Sequence, residues 1–164
     1  MEKKLSVSRI FNAPPEEIWR LWTEPELVRQ WWGPDRFICP VAKIDFREGG
    51  VSLVSMKAPP EFGGQETYSI WHYTEIVPFQ SIEFIMNLAD QNGLKQDPVS
   101  LGMPADFPTD IKTRVSFREM GEGKTEMTVT EYADFGQITA FAKMGLEQSL
   151  GKAFSIFSPE KNTK

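Results

Sequence analysis

Leu5-Ser6-Val7-Ser8-Arg9-Ile10-Phe11, running into Asn12-Ala13-Pro14-Pro15-Glu16-Glu17-Ile18-Trp19 and then Leu21-Trp22-Thr23-Glu24-Pro25-Glu26-Leu27, is the stretch from which the rest of the chain is read. The first seven residues suit a pleated surface and place Leu5, Val7 and Phe11 on one side, so they read as a strand. Pro14-Pro15-Glu16-Glu17 then starts a helix. The prolines fall where missing amide donors are tolerated, and the carboxylates sit in the first turn, where the helix dipole favours them. That helix carries Ile18, Trp19, Leu21 and Trp22. Thr23-Glu24-Pro25-Glu26 reads as a capping box opening a second helix to about Trp32, which Gly33-Pro34 ends.

Working outward, Arg36 to about Glu131 is dominated by strand and turn signals. Gly49-Gly50, Gly63-Gly64, Val77-Pro78 and Gly121-Glu122-Gly123 separate six runs, near 36–46, 51–57, 65–77, 80–88, 111–119 and 124–132. Links this short favour antiparallel neighbours. The long connection Ala89 to Asp110 is the exception, and its Leu94, Leu101, Met103 and Phe107 call for packing; it reads as a flap. After Asp134 the period becomes helical, with Gln137 as a capping partner and Ile138, Ala142, Leu146, Leu150, Ala153, Phe154 and Phe157 along one face. Ser158-Pro159 stops this helix, and 160–164 reads as a polar tail beyond a single domain spanning 1–159.

These elements give an α+β chain: a seven-stranded antiparallel sheet with one apolar face, two short helices after the first strand, and one long amphipathic helix to cover that face. The sheet should curl around the helix. One helix about 10–12 Å wide covers only part of a wide curved sheet, so the gap is either filled by large side chains or left as a ligand cavity.

Composition bounds what such a domain does. The 164 residues carry a net charge of -5, with 23 acidic against 18 basic side chains, and no basic run offers a nucleic-acid backbone its counter-charges. Nowhere is there an apolar run near the roughly 18 residues of a membrane span. Lys3-Lys4 leads into no secretory core, which sets a cytoplasmic expectation. Cys39 alone allows neither an intramolecular disulfide nor a cysteine-cluster zinc site, so no metal or cofactor is expected. Gly123-Lys124-Thr125 resembles the tail of a phosphate loop, but Arg118 stands where that motif needs glycine, and the stretch reads as a hairpin turn.

The quoted segments, with Gln30-Trp31-Trp32-Gly33-Pro34, Phe46-Arg47-Glu48-Gly49-Gly50, Tyr73-Thr74-Glu75-Ile76-Val77-Pro78 and Gly123-Lys124-Thr125-Glu126-Met127-Thr128-Val129-Thr130, resemble the heat-shock protein 90 ATPase activator homologue family of the START-like (SRPBCC) superfamily. Gly145-Leu146 sits where a Gly-Trp pair is common in that family. The resemblance implies a helix-grip fold with a cavity between helix and sheet, used by the superfamily for lipids, sterols, polyketides and other apolar molecules. The 89–110 segment exceeds the family's usual connection.

Candidate ligand-lining residues follow from alternation and from the family register: Trp31, Trp32, Val54, Met56, Tyr68, His72, Phe84, Met86, Phe117, Met127, Phe141, Gly145 and Ser149. Ile82, Val115 and Val129 share the same face as core. Adjacent helical residues diverge by about 100°, so at most one of Trp31 and Trp32 faces a cavity, the alternative being that the pair staples the second helix onto the sheet. His72, the chain's single histidine, is placed on the inner face with Tyr68, Ile70, Thr74 and Ile76. Glu66, Glu75 and Glu131 read as solvent-facing charges, and Cys39 as a small buried residue. The leading expectation is a binding protein for a small hydrophobic or amphipathic molecule. Two alternatives stand beside it. One is a cavity enzyme of cyclase, dehydratase or hydrolase type using His72 or an inward glutamate as base. The other is a protein-binding module acting on a chaperone ATPase.

Overall fold

The computed structural model describes residues 3–157, so the stop at Ser158-Pro159 and the tail at 160–164 lie outside the described residues. The elements are β1 (Leu5–Phe11), α1 (Pro15–Thr23), α2 (Pro25–Trp31), β2 (Ala42–Lys43), β3 (Val51–Lys57), β4 (Glu66–Val77), β5 (Ser81–Ala89), β6 (Ile111–Gly121), β7 (Lys124–Tyr132) and α3 (Thr139–Ile156). All seven strands form one antiparallel curved sheet in the order β1-β7-β6-β5-β4-β3-β2, with α3 as its long covering helix. Every step except β1 to β7 joins strands consecutive in sequence, as the short links require.

Helix α1 begins as the prolines dictate, with Pro14 extended at the cap, Pro15 at the first helical position and Glu16 and Glu17 in the first turn. The expected capping box of α2 does not form. Thr23 is still the last residue of α1, so the cap position falls to Glu24, whose side chain makes no capping bond and whose carbonyl accepts from Leu27 and Val28 instead. Glu24 joins Glu17 in gripping Arg20, at 2.6 and 2.8 Å. The six expected strand runs are present, but the first shrinks to Ala42–Lys43, preceded by an isolated bridge between Ile38 and Lys57. Pro40 has no amide to donate to a ladder, and Arg36 adopts a left-handed φ of 73°, so the stretch before Ala42 cannot run as a regular strand. The β6–β7 turn has positive φ at both Glu122 and Gly123, the twist-matched two-residue hairpin, which settles Gly123-Lys124-Thr125 as turn and strand.

The apolar side of the sheet buries Val54, Ile82, Phe84, Val115, Phe117, Met127 and Val129, with Met56 and Met86 half-buried against the same core. From α3 come Leu146, Ser149, Leu150 and Ala153. The helix lies along β1, where the Arg9 guanidinium sits 4.4 Å over the Phe154 ring and Phe11 meets Phe154 at 6.0 Å. Its middle is tied to the loop after α2: Lys152 Nζ donates to the carbonyls of Pro34 and Phe37, both at 3.1 Å, and the Asp35 amide donates to Gln148. Its first turns are not tied. Thr139, Ala140, Phe141, Lys143 and Met144 are exposed, no side chain caps them, and a 3-10 turn at Gly136–Ile138 replaces the expected cap by Gln137.

The 89–110 segment is folded onto the sheet's end. Leu94 and Asp90 close a small hairpin through Asp90 N–H to Leu94 carbonyl at 2.9 Å. Pro98–Leu101 makes a 3-10 turn, and Asn87 donates to the Thr109 carbonyl at 2.6 Å. Phe107 packs edge-on to Phe135 at 6.0 Å. Beside it Gly136 has a φ of +56°, and a Cβ there would lie 2.0 Å from the Asp106 carboxylate. Gly136→Ala should therefore cost about 1–3 kcal/mol, the penalty of a strained backbone with a contact added. Urea unfolding measures it, and an Asp106→Ala partner change should restore only the contact part.

Candidate functional site

Aromatic rings of α1, α2, β4 and β5 pack into one cluster against the inner side of the sheet. Trp71 stacks on Phe84 at 5.1 Å, Trp32 stands edge-on to Trp71 at 5.0 Å, and Trp22 meets Trp31 at 4.8 Å and Trp71 at 5.7 Å. Tyr73 and Phe46 continue the cluster toward Trp19. Trp31, Val54, Phe84 and Met127 belong to the buried core, and two concavities open on other parts of the surface. One, of about 370 Å³, is an open cleft between the start of β4 and the inserted segment, lined by Thr67, Tyr68, Ala89, Asn92, Leu101 and Met103 among others. The second involves Thr74, Glu75, Glu83, Ile85 and Lys112, on the outer side.

Three expected site residues are misplaced by the sequence reading. His72 is exposed, because Trp71 and Tyr73 take the inner side of β4. A bulge between Tyr73 and Glu75 changes the strand's phase, so inward Ile76, paired with buried Ile82, is no guide to His72. Tyr68 shares the outer side with His72 and forms part of the open cleft. Phe141 is 70 % exposed, on the loose first turns of α3. Trp31 and Trp32, by contrast, are both buried, since Trp32 has already left the helix with an extended backbone (φ -68°, ψ 126°) and the 100° divergence does not apply. Gly145 packs 3.4 Å from Pro34 when a Cβ is built on it, and Ser149 is buried with its hydroxyl donated to the Gly145 carbonyl.

Polar atoms left over in this apolar interior define the candidate site. Trp31 Nε1 donates to the Leu21 carbonyl at 2.8 Å and Trp22 Nε1 to Met127 Sδ at 3.1 Å, but the buried Trp32 Nε1 and Trp71 Nε1, whose rings meet edge-on, have no acceptor among the described residues. A buried amide-like donor left unpaired costs about 1–3 kcal/mol. Neighbouring polar groups are satisfied, Tyr73 and Ser52 sharing a 2.7 Å hydrogen bond.

Glu131, expected to face solvent, is half-buried, and its strand position is on the inner side. It has the same parity as buried Met127 and Val129 on β7, and its cross-strand neighbours are Leu5 on one side and Thr113 on the other, both buried. Thr113 in turn pairs with Phe84, so the inner row runs Leu5, Glu131, Thr113, Phe84, Tyr73. Burial alone pushes the Glu131 carboxyl up to about 7, with no hydrogen bond or opposite charge opposing it. Glu66 is instead half-buried and accepts from Ser55 Oγ, while Glu75 is exposed. Cys39 is buried as expected, and burial raises its thiol. Among the described residues no group of His, Cys, Asp and Glu could hold a metal ion.

The family model for "Activator of Hsp90 ATPase homolog 1-like protein" matches residues 12–157, from the end of β1 to the end of α3. The chain belongs to that family. Its fold is START-like, as the resemblance implies. Similar solved structures include a protein from Chromobacterium violaceum, at 22% identity over 95% of this chain and 97% of that one, with a TM-score of 0.76. A Staphylococcus epidermidis protein, at 22% identity over 100% and 93%, also has a TM-score of 0.76, and the AHSA1 protein from Silicibacter pomeroyi, at 18% over 96% and 99%, has 0.73. Identities this low carry the fold alone. No curated protein matches the chain. No helix among the described residues is long and apolar enough to cross a membrane.

Proposed function

We propose that this family member binds a small amphipathic molecule on the inner face of the sheet, beneath the first half of α3. The observation that carries the reading is the pair of acceptor-less indole N–H groups of Trp32 and Trp71, buried donors that a bound molecule would satisfy. The fold supports it, because START-like architecture sets a helix across a concave apolar sheet. The guest makes its own room. In the first turns of α3 only Ala142, with Ile138 just before the helix, packs against the core, and weakly packed segments of this kind open at low cost. The 89–110 segment, with Phe107 against Phe135, borders the same end and would act as its flap.

Native mass spectrometry on protein purified from its host, followed by thermal shift with the extracted molecule, tests the reading. A guest at about 100 times its Kd contributes about 2.7 kcal/mol and raises Tm by several degrees. A bare protein mass, together with no shift across a panel of apolar compounds, would overturn it.

A chaperone-ATPase partner is the second reading, favoured by Phe141 and Met144, which stand exposed one turn apart on α3. Stimulation of an Hsp90 ATPase that Phe141→Ser abolishes would support it, and no stimulation would remove it. The enzyme reading keeps Glu131 as its one inward base after losing His72.

A further inference from the structure

The open cleft at the start of β4 stands apart from the inner face. Tyr68, on the outer side of β4, and its cross-strand partner Ala89 line it. Its other wall is the inserted 89–110 segment, and the turns that carry this wall are hydrogen-bonded on their own. The Asp90 carboxylate accepts from the Asn92 and Leu94 amides at 2.9 and 3.0 Å. Asp97 accepts from the Val99 amide at 3.1 Å to open the 3-10 turn that ends at Leu101, and the Met103 amide donates to the Pro98 carbonyl at 3.0 Å. Walls held in this way need little further ordering when a molecule enters. The volume, about 370 Å³, is at the small end of ligand sites, room for one or two rings.

The lining chemistry selects what fits. Most of it is polar: the carboxylates Glu66 and Asp90, the amides Gln65, Gln91 and Asn92, and the hydroxyls of Thr67 and Tyr68, beside the apolar Leu101 and Met103. A wholly apolar molecule would strip water from all these groups and return no hydrogen bond. An anion meets two carboxylates and no lysine, arginine or histidine in the lining. A cation finds the carboxylates already answered, Glu66 by the Ser55 hydroxyl at 2.8 Å with Lys57 as its cross-strand neighbour, and Asp90 by its two amides. A neutral polyol suits them, because each of its hydroxyls both donates and accepts: carboxylates take its protons and amide NH₂ groups give theirs. We infer that this cleft is a saccharide site, in which a neutral pyranose lays its C–H face on Tyr68, Leu101 and Met103 and pairs neighbouring hydroxyls with Glu66, Asp90 and the side-chain amides. Tyr68 is fitted for this double part, an apolar ring with a polar tip beside the Glu66 carboxylate, which together with lost water contact holds the phenol above its usual range. The cleft's openness keeps the outward hydroxyls of such a molecule in water.

Methyl β-glucoside, methyl β-galactoside, methyl α-mannoside, cellobiose and maltose are titrated into the full chain, with phenethylamine and inorganic phosphate as comparators. The Met103 methyl and the side-chain amides of Gln65 and Asn92 are followed by NMR. At least one sugar should move these signals with a millimolar Kd and leave the indole signals of Trp32 and Trp71 in place, which separates this site from the inner face. Glu66→Gln should weaken that sugar about tenfold, the loss of one hydrogen bond to a charged acceptor. Asn92→Ala, a change at an exposed turn that keeps its backbone hydrogen bonds, should weaken it severalfold, so the assignment stays open to refutation even if Glu66→Gln disturbs the strand. Cleft signals unmoved by every sugar, a Kd unchanged in both variants, or larger shifts with phenethylamine or phosphate than with any sugar would overturn the assignment and leave the inner-face reading untouched.

Discussion

Replacing Trp31 by alanine should lower stability by about 3–5 kcal/mol, whereas His72→Ala should change it by less than about 0.5 kcal/mol. Trp31 is fully buried at the end of α2, edge-on to both Trp22 and Trp32, with its indole N–H donated to the Leu21 carbonyl. Removing the ring deletes its contacts with both indoles, opens a cavity the rigid neighbours cannot fill, and leaves the Leu21 carbonyl without that donor. His72 stands on the outer side of β4 with its ring in water, so its loss touches only strand propensity. Chemical denaturation of the two variants at one pH decides the matter. A small loss for Trp31→Ala would mean that α2 is not part of the cooperative core.

Glu131→Gln should stabilise the protein at pH 8 by about 2–3 kcal/mol and leave it nearly unchanged at pH 4. The carboxyl titrates near 7 in the folded chain and near 4.5 as a free side chain. Between those values the folded state binds the extra proton, so stability falls as pH rises through the interval, and the full penalty stands above about 7. Two and a half pH units correspond to about 3.4 kcal/mol, and partial contact of the half-buried side chain with water reduces it. Glutamine keeps the shape and removes the charge. Unfolding free energies measured from pH 4 to 8 should show a slope between about 5 and 7 in the parent that is absent in the variant. Parallel curves would place the carboxyl in solvent.

Both predictions turn on what alternation in a sequence does and does not encode. The strand and helix order was legible because turns, prolines and the change of period after Asp134 are local signals. The inner register of β3, β5, β6 and β7 was legible too, since Val54, Phe84, Phe117 and Met127 alternate without interruption. On β4 the rule failed for two physical reasons. The bulge after Tyr73 changes phase inside the strand, and the inserted segment brings Gly93 over Ile70 on the outer side, so an apolar residue there needs no inner face. Glu131 was misread because a charged side chain is assigned to water by default, and only its cross-strand neighbours Leu5 and Thr113 reveal otherwise. The choice between a filled and a hollow interior depended on ring packing among residues distant in sequence, which no spacing expresses.

The pairing of β1 with β7 has a consequence for how the chain acquires its shape. Leu5 to Phe11 find their ladder partners only at Thr125 to Glu131, over a hundred residues downstream. During synthesis the first strand must therefore wait, its apolar side exposed, while the hairpins from β3 to β6 assemble by short-range zipping. Closure of that seam is the late and slow event, and it is also what sets the half-buried Glu131 beside Leu5. The domain is thus closed only after Thr125 to Glu131 have been made.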